Sequence, residues 1–283
     1  MAAEPSSHKA PSPPSGPMAA PHDLWHKSFI RIGHAGASAY APANTLESFE
    51  LALELGVDMV EFDVRPCRDA LVLLHDDALA SALEGETRAC ELTLDQVRAM
   101  RAGDGQRVAT LDEAIDLLKG RALLNVDLKT RGIEAAVIAT LRRKGMLADV
   151  LISSLDPQSL SEIRRLDPAV ATAISYPEDR GGASTRSYLA PIVTIVLRLM
   201  RAQMPSRVMR LMASAEANAA MLYHKVVSHA SVERVHAANK RVFVWTVDDL
   251  PALQLVRSLG VDGAASNRPD LFRQLQGTAV PLP

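Results

Sequence analysis

Arg31 to Asp77 reads RIGHAGASAYAPANTLESFELALELGVDMVEFDVRPCRDALVLLHDD, and the pattern of this stretch decides the fold. An apolar run ends in His34, and a helical pattern opens near Asn44. A second apolar run ends in Glu61-Phe62-Asp63; a third, after the turn-rich Arg65-Pro66-Cys67-Arg68-Asp69, ends in His75-Asp76. Side chains alternate between the faces of a strand, so Glu61 and Asp63 share a face and converge on one point, as a bound divalent cation requires. Only Arg65 to Ala70 separates Val64 from Leu71, too short for a crossover to a parallel strand. The chain is therefore expected to turn back as an antiparallel hairpin with its tip near Asp69. In that register His75 stands opposite Asp63, so that two acids and a histidine meet at one strand end, with His34 at another.

Outward from this stretch, apolar β-branched runs alternate with helical patterns. Strands are predicted over 29–34, 57–64, 121–128, 149–153, 169–174, 219–227, 241–246 and 261–265. Helices are predicted from Thr45 to Leu55, Leu111 to Leu118, Gly132 to Lys144, Pro157 to Leu166, Ser231 to Asn239 and Leu250 to Leu259. Asn44 or Thr45 is placed to cap the first helix, and Gly145 and Gly260 to stop two others. Strand-helix units repeated through about 250 residues predict an α/β fold, a (β/α)8 TIM barrel, over the alternative of an open doubly wound sheet. No Gly-x-Gly-x-x-Gly follows the first strand, so nothing points to a dinucleotide site. Residues 77–108 break the rhythm and read as a short insertion after the second strand's hairpin, a compact lid or substrate wall. Active residues of such barrels sit where strands end at the C-terminal face. His34, Glu61, Asp63, Asp127, Lys129 and Trp245 all fall at such ends.

The 283 residues, 48% hydrophobic and 23% charged, suffice for one large domain, expected over 27–276 between a tail at 1–26 and a short one at 277–283. A net charge of -2 gives no support for nucleic-acid binding. Cys67 and Cys90 are too few for a disulfide framework and read as a small filler or a surface thiol. The Pro- and Ser-rich start carries no secretory pattern, and no apolar run reaches the length of a membrane span, so a cytoplasmic location is expected. Segment 188–213 is apolar, carries Arg198, Arg201, Arg207 and Arg210, and is broken by Pro205. It is expected to be the barrel's sixth outer helix. A basic amphipathic helix making peripheral membrane contact is its second reading.

These residues also carry a resemblance. His34-Ala35-Gly36, Pro42-Ala43-Asn44-Thr45, Glu61-Phe62-Asp63-Val64 and His75-Asp76 resemble the glycerophosphodiester phosphodiesterase pattern His-Arg-Gly, Pro-Glu-Asn-Thr, Glu-x-Asp-Val and His-Asp, within the phospholipase C-like phosphodiesterase superfamily. Downstream, Thr110-Leu111-Asp112-Glu113, Asp127-Leu128-Lys129, Ser153-Ser154-Leu155-Asp156, Trp245-Thr246-Val247-Asp248 and Asn267-Arg268-Pro269 resemble its Thr-Leu-x-Glu, Glu-x-Lys, Ser-Ser-Phe-Asp, Trp-Thr-Val-Asn and Thr-Asp-x-Pro. The resemblance covers roughly residues 28 to 276. It implies a divalent metal on Glu61, Asp63 and Asp127, general acid/base work by His34 and His75, and substrate contacts by Lys129 and Trp245. All-oxygen ligands favour Mg²⁺ or Ca²⁺, and a histidine pKa near 6.5 suits proton transfer. The implied reaction is hydrolysis of a glycerophosphodiester, or a lysophospholipid-type diester, to an alcohol and sn-glycerol 3-phosphate. Two alternatives stand beside it: a sphingomyelinase D-like lyase forming a cyclic phosphate, and a non-catalytic phosphate- or lipid-binding barrel. The departures are Ala35 for an arginine that grips phosphate, Ala43 for an acid, and Asp127 for the longer Glu. His224 or Lys225 could approach the phosphate in place of that arginine.

Overall fold

The computed structural model describes residues 25–81, 85–101, 107–177 and 190–275. Outside them lie residues 1–24 and 277–283 of the expected tails, 82–84 and 102–106 of the expected insertion, and the start of segment 188–213. In chain order β1 (Ile30–His34) leads to α1 (Leu46–Glu54), and β2 (Met59–Pro66) turns back into β3 (Leu71–Leu73). The insertion contains β4 (Ala78–Ser81), β5 (Gly85–Arg88) and α2 (Leu94–Arg101), followed by α3 (Leu111–Leu118). Regular alternation then runs through β6 (Leu123–Leu128), α4 (Glu134–Lys144), β7 (Val150–Ser154), α5 (Pro157–Leu166), β8 (Ala171–Tyr176) and α6 (Ala190–Ser214). It ends with β9 (Ala219–Tyr223), α7 (His229–His236), β10 (Arg241–Trp245), α8 (Leu250–Ser258), β11 (Gly263–Ser266) and α9 (Leu271–Gln274). Parallel pairing runs β1-β2-β6-β7-β8-β9-β10-β11, and β11 pairs with β1 again. That closure makes the predicted (β/α)8 barrel and excludes the open sheet.

The period-2 alternation of the strands builds two apolar layers. Val60, Phe62 and Val64 of β2, with Leu124 and Val126 of β6, face outward and pack under helices, for instance Phe62 on Phe49 of α1 at 5.4 Å between ring centroids. The residues between them face the barrel axis. There Ile30, Ile32, Met59, Leu123, Leu151, Ala173, Met221 and Phe243 form a separate inner plug. Moving two residues along the same strands toward their C-termini, the inward positions become His34, Glu61, Asn125 and Ser153, then Asp63 and Asp127. The inside of the barrel thus passes from hydrocarbon to polar groups at its C-terminal mouth. At the opposite end Asp58, 1% exposed, accepts from Arg31 Nε (2.9 Å), Arg31 Nη2 (2.7 Å) and Lys27 Nζ (2.7 Å). Burial pushes its pKa up, but these donors and their charges outweigh that and hold it below the ordinary value.

Local signals act as expected where only local physics is involved. Thr45 Oγ1 caps α1 by accepting from Ser48 N–H (3.2 Å), and Thr110 and Glu113 form a capping box on α3. Gly145 ends α4 in the left-handed conformation, φ 70°. Three expectations are corrected. The β2–β3 hairpin pairs Val64 with Leu73 and Pro66 with Leu71, so Leu74, not His75, comes opposite Asp63, and its N–H donates to the Asp63 carbonyl at 3.2 Å. The tip falls between Arg68 and Asp69; a one-residue slip turns the alternate side chains to the other face. Pro205 does not break the sixth helix: α6 runs unbroken from Ala190 to Ser214, with Met204 and Val208 on either side of the proline buried in the core. Finally β9 stops at Tyr223, its last partner on β10, and 224–226 form a 3₁₀ turn rather than more strand.

Candidate active site

Strand register assembles the site. Pairing of β2 with β6 sets Asp63 beside Asp127 and Glu61 beside Asn125, while β1 sets His34 beside Glu61. Glu61, Asp63 and Asp127 are buried, and each offers a carboxylate oxygen within 4.8 Å of the others. Each acid is held in place. Glu61 Oε2 accepts the Ala35 N–H at 2.9 Å, and Asp127 Oδ1 accepts the Ser153 hydroxyl at 2.5 Å. Asn44 clasps Asp63 twice: its Nδ2–H donates to Oδ2 (2.8 Å), and its Oδ1 accepts the Asp63 N–H (3.0 Å). Lys129 Nζ lies 2.9 Å from Asp63 Oδ1 and 2.7 Å from Asp127 Oδ2.

Three carboxylates and one ammonium in a largely buried space carry excess negative charge. Burial, with Asp63 and Asp127 adding to it, pushes Glu61 up to about 7 against the opposing pull of His34 and Lys129. Asp63 lies below its ordinary value, because Lys129 and the Asn44 donor outweigh the burial that would raise it. Lys129 is driven up: burial disfavours its charge, but Asp127, Asp63 and Glu61 favour it more. His34 is also raised, burial being overcome by Glu61, by the Asn267 hydrogen bond and by Asp63. Asn125, two residues before Asp127 on the same inward face, has a buried Oδ1 with no hydrogen-bond partner among the described residues. An acid cluster with unbalanced charge, whose three carboxylates each offer an oxygen to one point, fits a hard divalent cation.

Around this cluster stand the other predicted residues. His34 is one-third exposed; its Nε2 lies 3.9 Å from Glu61 Oε2 and its Nδ1 2.7 Å from Asn267 Oδ1. His75 sits beyond the end of β3, two-thirds exposed, with Nδ1 2.9 Å from Asp76 Oδ1, and its carbonyl accepts Arg65 Nε at 2.9 Å. Trp245 ends β10, packs on the inner plug and donates from Nε1 to the Met221 carbonyl (3.2 Å), its ring 5.6 Å from that of Tyr223. Lys225 Nζ lies over the Tyr223 ring at 5.9 Å, and burial holds neighbouring His224 below its ordinary pKa. Ala35 adopts φ +49° and Gly36 φ +85°; a Cβ on Gly36 would overlap Ser48 of α1, so this turn must be glycine. Sequence reasoning saw Asn44 only as a helix cap. Its left-handed φ of +62°, which asparagine tolerates well, frees the amide to reach Asp63 instead. Ser153, Asp248 and Asn267 went unassigned, because only barrel closure brings β7, β10 and β11 to the same mouth.

A family model described as "Glycerophosphoryl diester phosphodiesterase family" matches residues 34–271. The glycerophosphodiester phosphodiesterase of Caldanaerobacter subterraneus is 26% identical over 258 residues, 86% of this chain and 96% of that relative. A solved glycerophosphodiester phosphodiesterase from Agrobacterium tumefaciens, 23% identical, superposes with TM-score 0.66 over 87% of this chain and 99% of its own. An Oleispira antarctica phosphodiesterase solved with the product sn-glycerol-3-phosphate, 21% identical, gives TM-score 0.66 over 88% and 97%. At these identities the two structures establish the fold.

Proposed function

This chain belongs to the glycerophosphoryl diester phosphodiesterase family, and on that premise we propose that it is a divalent-metal-dependent phosphodiesterase. It cleaves a glycerophosphodiester to an alcohol and sn-glycerol 3-phosphate, or a lysophospholipid-type diester to an alcohol and the acylated glycerol 3-phosphate. The observation that carries the reading is the cluster itself: three carboxylates within 4.8 Å of one another, with His34 Nε2 at 3.9 Å from one and Lys129 bridging the other two. A diester resists attack because its anionic oxygens repel the nucleophile and its alkoxide leaves poorly. Glu61, Asp63 and Asp127 would hold Mg²⁺ or Ca²⁺, which when bound supplies positive charge to the phosphate oxygens. Lys129, held by two of those acids at the mouth, adds a fixed positive charge on the substrate side. His34 and His75 divide the proton transfers, one taking the proton of the attacking hydroxyl and the other giving one to the departing alcohol. Trp245 forms an apolar wall for that alcohol. Residues 27–276 make up the catalytic domain in this reading, with 77–108 as its insertion.

A lipid-borne substrate gains support from α6. Arg207 stacks on the ring of Tyr176 at the C-terminal end of β8, its guanidinium carbon 4.6 Å from the ring centroid. The preceding part of α6, about 25 Å of helix, therefore extends toward the catalytic side. It exposes Ile192, Ile195, Val196 and Leu199, one stripe at helical spacing, and α6 holds four arginines and no acid. Apolar insertion beside positive charge matches an anionic lipid surface. No helix among the described residues is long and apolar enough to cross a membrane, so the contact would be peripheral.

The test is a panel of glycerophosphodiesters and lysophospholipids assayed with Mg²⁺, Ca²⁺ or EDTA, with products followed by phosphorus NMR. A linear phosphomonoester that requires a divalent ion is the expected result, sn-glycerol 3-phosphate from the glycerophosphodiesters and its acylated form from the lysophospholipids. Full activity after metal stripping, or a cyclic phosphate as end product, would overturn the reading. Sedimentation with phosphatidylcholine vesicles, with and without phosphatidylglycerol, tests the α6 contact; equal binding by an Ile195→Glu/Leu199→Glu variant would exclude it.

A further inference from the structure

His34 is one end of a hydrogen-bonded chain that leaves the acid cluster and crosses two strands. Its Nδ1 meets Asn267 Oδ1 at 2.7 Å, and the Ser38 hydroxyl reaches the same oxygen at 2.6 Å. On its other side Asn267 donates from Nδ2 to Asp248 Oδ2 (2.7 Å) and from its backbone N–H to Asp248 Oδ1 (2.8 Å). Ser266 Oγ lies 3.1 Å from that same Oδ1. The chemistry of the far end decides the near one. An ionised carboxylate accepts hydrogen bonds and donates none, so Asp248 requires the NH₂ of Asn267 to face it. That leaves the amide oxygen for His34, and an amide oxygen only accepts. In the neutral imidazole the proton must then sit on Nδ1, with the lone pair on Nε2, the nitrogen turned toward Glu61.

The two positions also depart from the pattern the chain resembles. That pattern has Asn after Trp-Thr-Val and Asp in Thr-Asp-x-Pro; here the first is Asp248 and the second Asn267. Acid and amide have changed places. The exchange keeps every hydrogen bond, because an acid at 267 also accepts from His34 Nδ1 and an amide at 248 can donate to it. Either residue changed alone does not. Two amides leave nothing to fix which face of residue 267 meets His34, and two acids face each other without a shared proton.

We propose that Asn267 is a positioning residue for His34, oriented by Asp248, and that the pair acts as one unit setting the imidazole tautomer. This rests on His34 being an acid/base group, as proposed above. The experiment is a cycle of Asp248→Asn, Asn267→Asp and the double exchange, assayed with Mg²⁺, with folding checked by thermal unfolding. Each single variant is expected to lower kcat by about 10²-fold with KM within about threefold, and the double variant to recover to within about tenfold of the starting chain. A double variant as poor as the product of the two singles would overturn the proposal, as would singles with unchanged kcat. Long-range proton–nitrogen NMR of the histidine rings, with His34 identified through His34→Gln, reads the tautomer without activity. A protonated Nδ1 is expected at pH above the His34 titration, and a protonated Nε2 overturns the assignment. Near-normal kcat in His34→Gln would instead remove His34 from catalysis, an outcome that leaves the NMR result standing and so separates the two failures.

Discussion

Replacing Lys129 by methionine keeps most of the side chain's volume and removes its charge, and the structure sets how much that should cost. The ammonium lies 2.9 Å from Asp63 and 2.7 Å from Asp127, with all three acids buried. Breaking a buried ion pair by deleting one partner costs about 3–5 kcal/mol, because the remaining charge is left uncompensated. In a chain of this size that corresponds to a fall in Tm of roughly 6–20 °C, taking 2–4 °C per kcal/mol. The loss must depend on pH. Glu61 already stands at about 7 with the lysine present, and losing Lys129 removes one of the charges that hold it down. A group raised in this way destabilises the folded state at high pH and less so as it takes up its proton. The gap between variant and parent in EDTA should therefore be widest near pH 8 and narrow toward pH 5. A cation held by the same acids replaces the missing charge, so Mg²⁺ at about 100 times its dissociation constant should return roughly 2.7 kcal/mol or more. Thermal and urea unfolding across pH 5–8, with EDTA or Mg²⁺, makes the measurement. A Lys129→Met variant as stable as the parent in EDTA at pH 8 would refute the charged-cluster reasoning. A variant that Mg²⁺ does not stabilise at all would refute the metal site.

Three further outcomes are expected. His75→Ala should lower kcat by about 10²–10⁴ with an unchanged unfolding curve, since the side chain is two-thirds exposed; stopped-time product assays and circular dichroism check the two halves, and near-normal kcat would remove His75 from the mechanism. Asn44→Gly keeps the left-handed backbone but removes both clasps on Asp63. It should cost about 2–4 kcal/mol, chiefly from the buried Asp63 N–H left without a partner, and a cost under about 1 kcal/mol in urea unfolding would show that Asp63 needs no such support. Asp58 has its folded pKa depressed by Arg31 and Lys27, so its contribution is present above the unfolded value and lost as pH falls through the folded one. Asp58→Asn should then lower Tm by a steady amount from pH 8 to 5 and by progressively less below about pH 4; a constant gap down to pH 2 contradicts the ion-pair account.

Much of this molecule is written in local pattern. The barrel strands follow from apolar runs, because each must bury both faces, and their inward positions follow from the period of 2 that puts Glu61 and Asp63 together. Helix ends at Thr45, Thr110 and Gly145 follow from caps that need only their own neighbours. Pairing between distant strands was not legible in this way. Asp127 meets Asp63 because β6 lies beside β2 in a particular register, and a shift of one residue would have turned it away from the axis. The hairpin shows the same sensitivity at short range: its turn geometry, not its apolar pattern, moved Leu74 opposite Asp63 and left His75 beyond the strand. Asn44 offered two local roles, cap or free amide, and only the proximity of Asp63 selected the second. The link from Asp248 through Asn267 to His34 spans more than two hundred residues of sequence and exists because the sheet closes, setting β11 between β10 and β1. Residue type and spacing determined which groups were available; closure and register, which depend on the packing of the whole barrel, decided which of them touch.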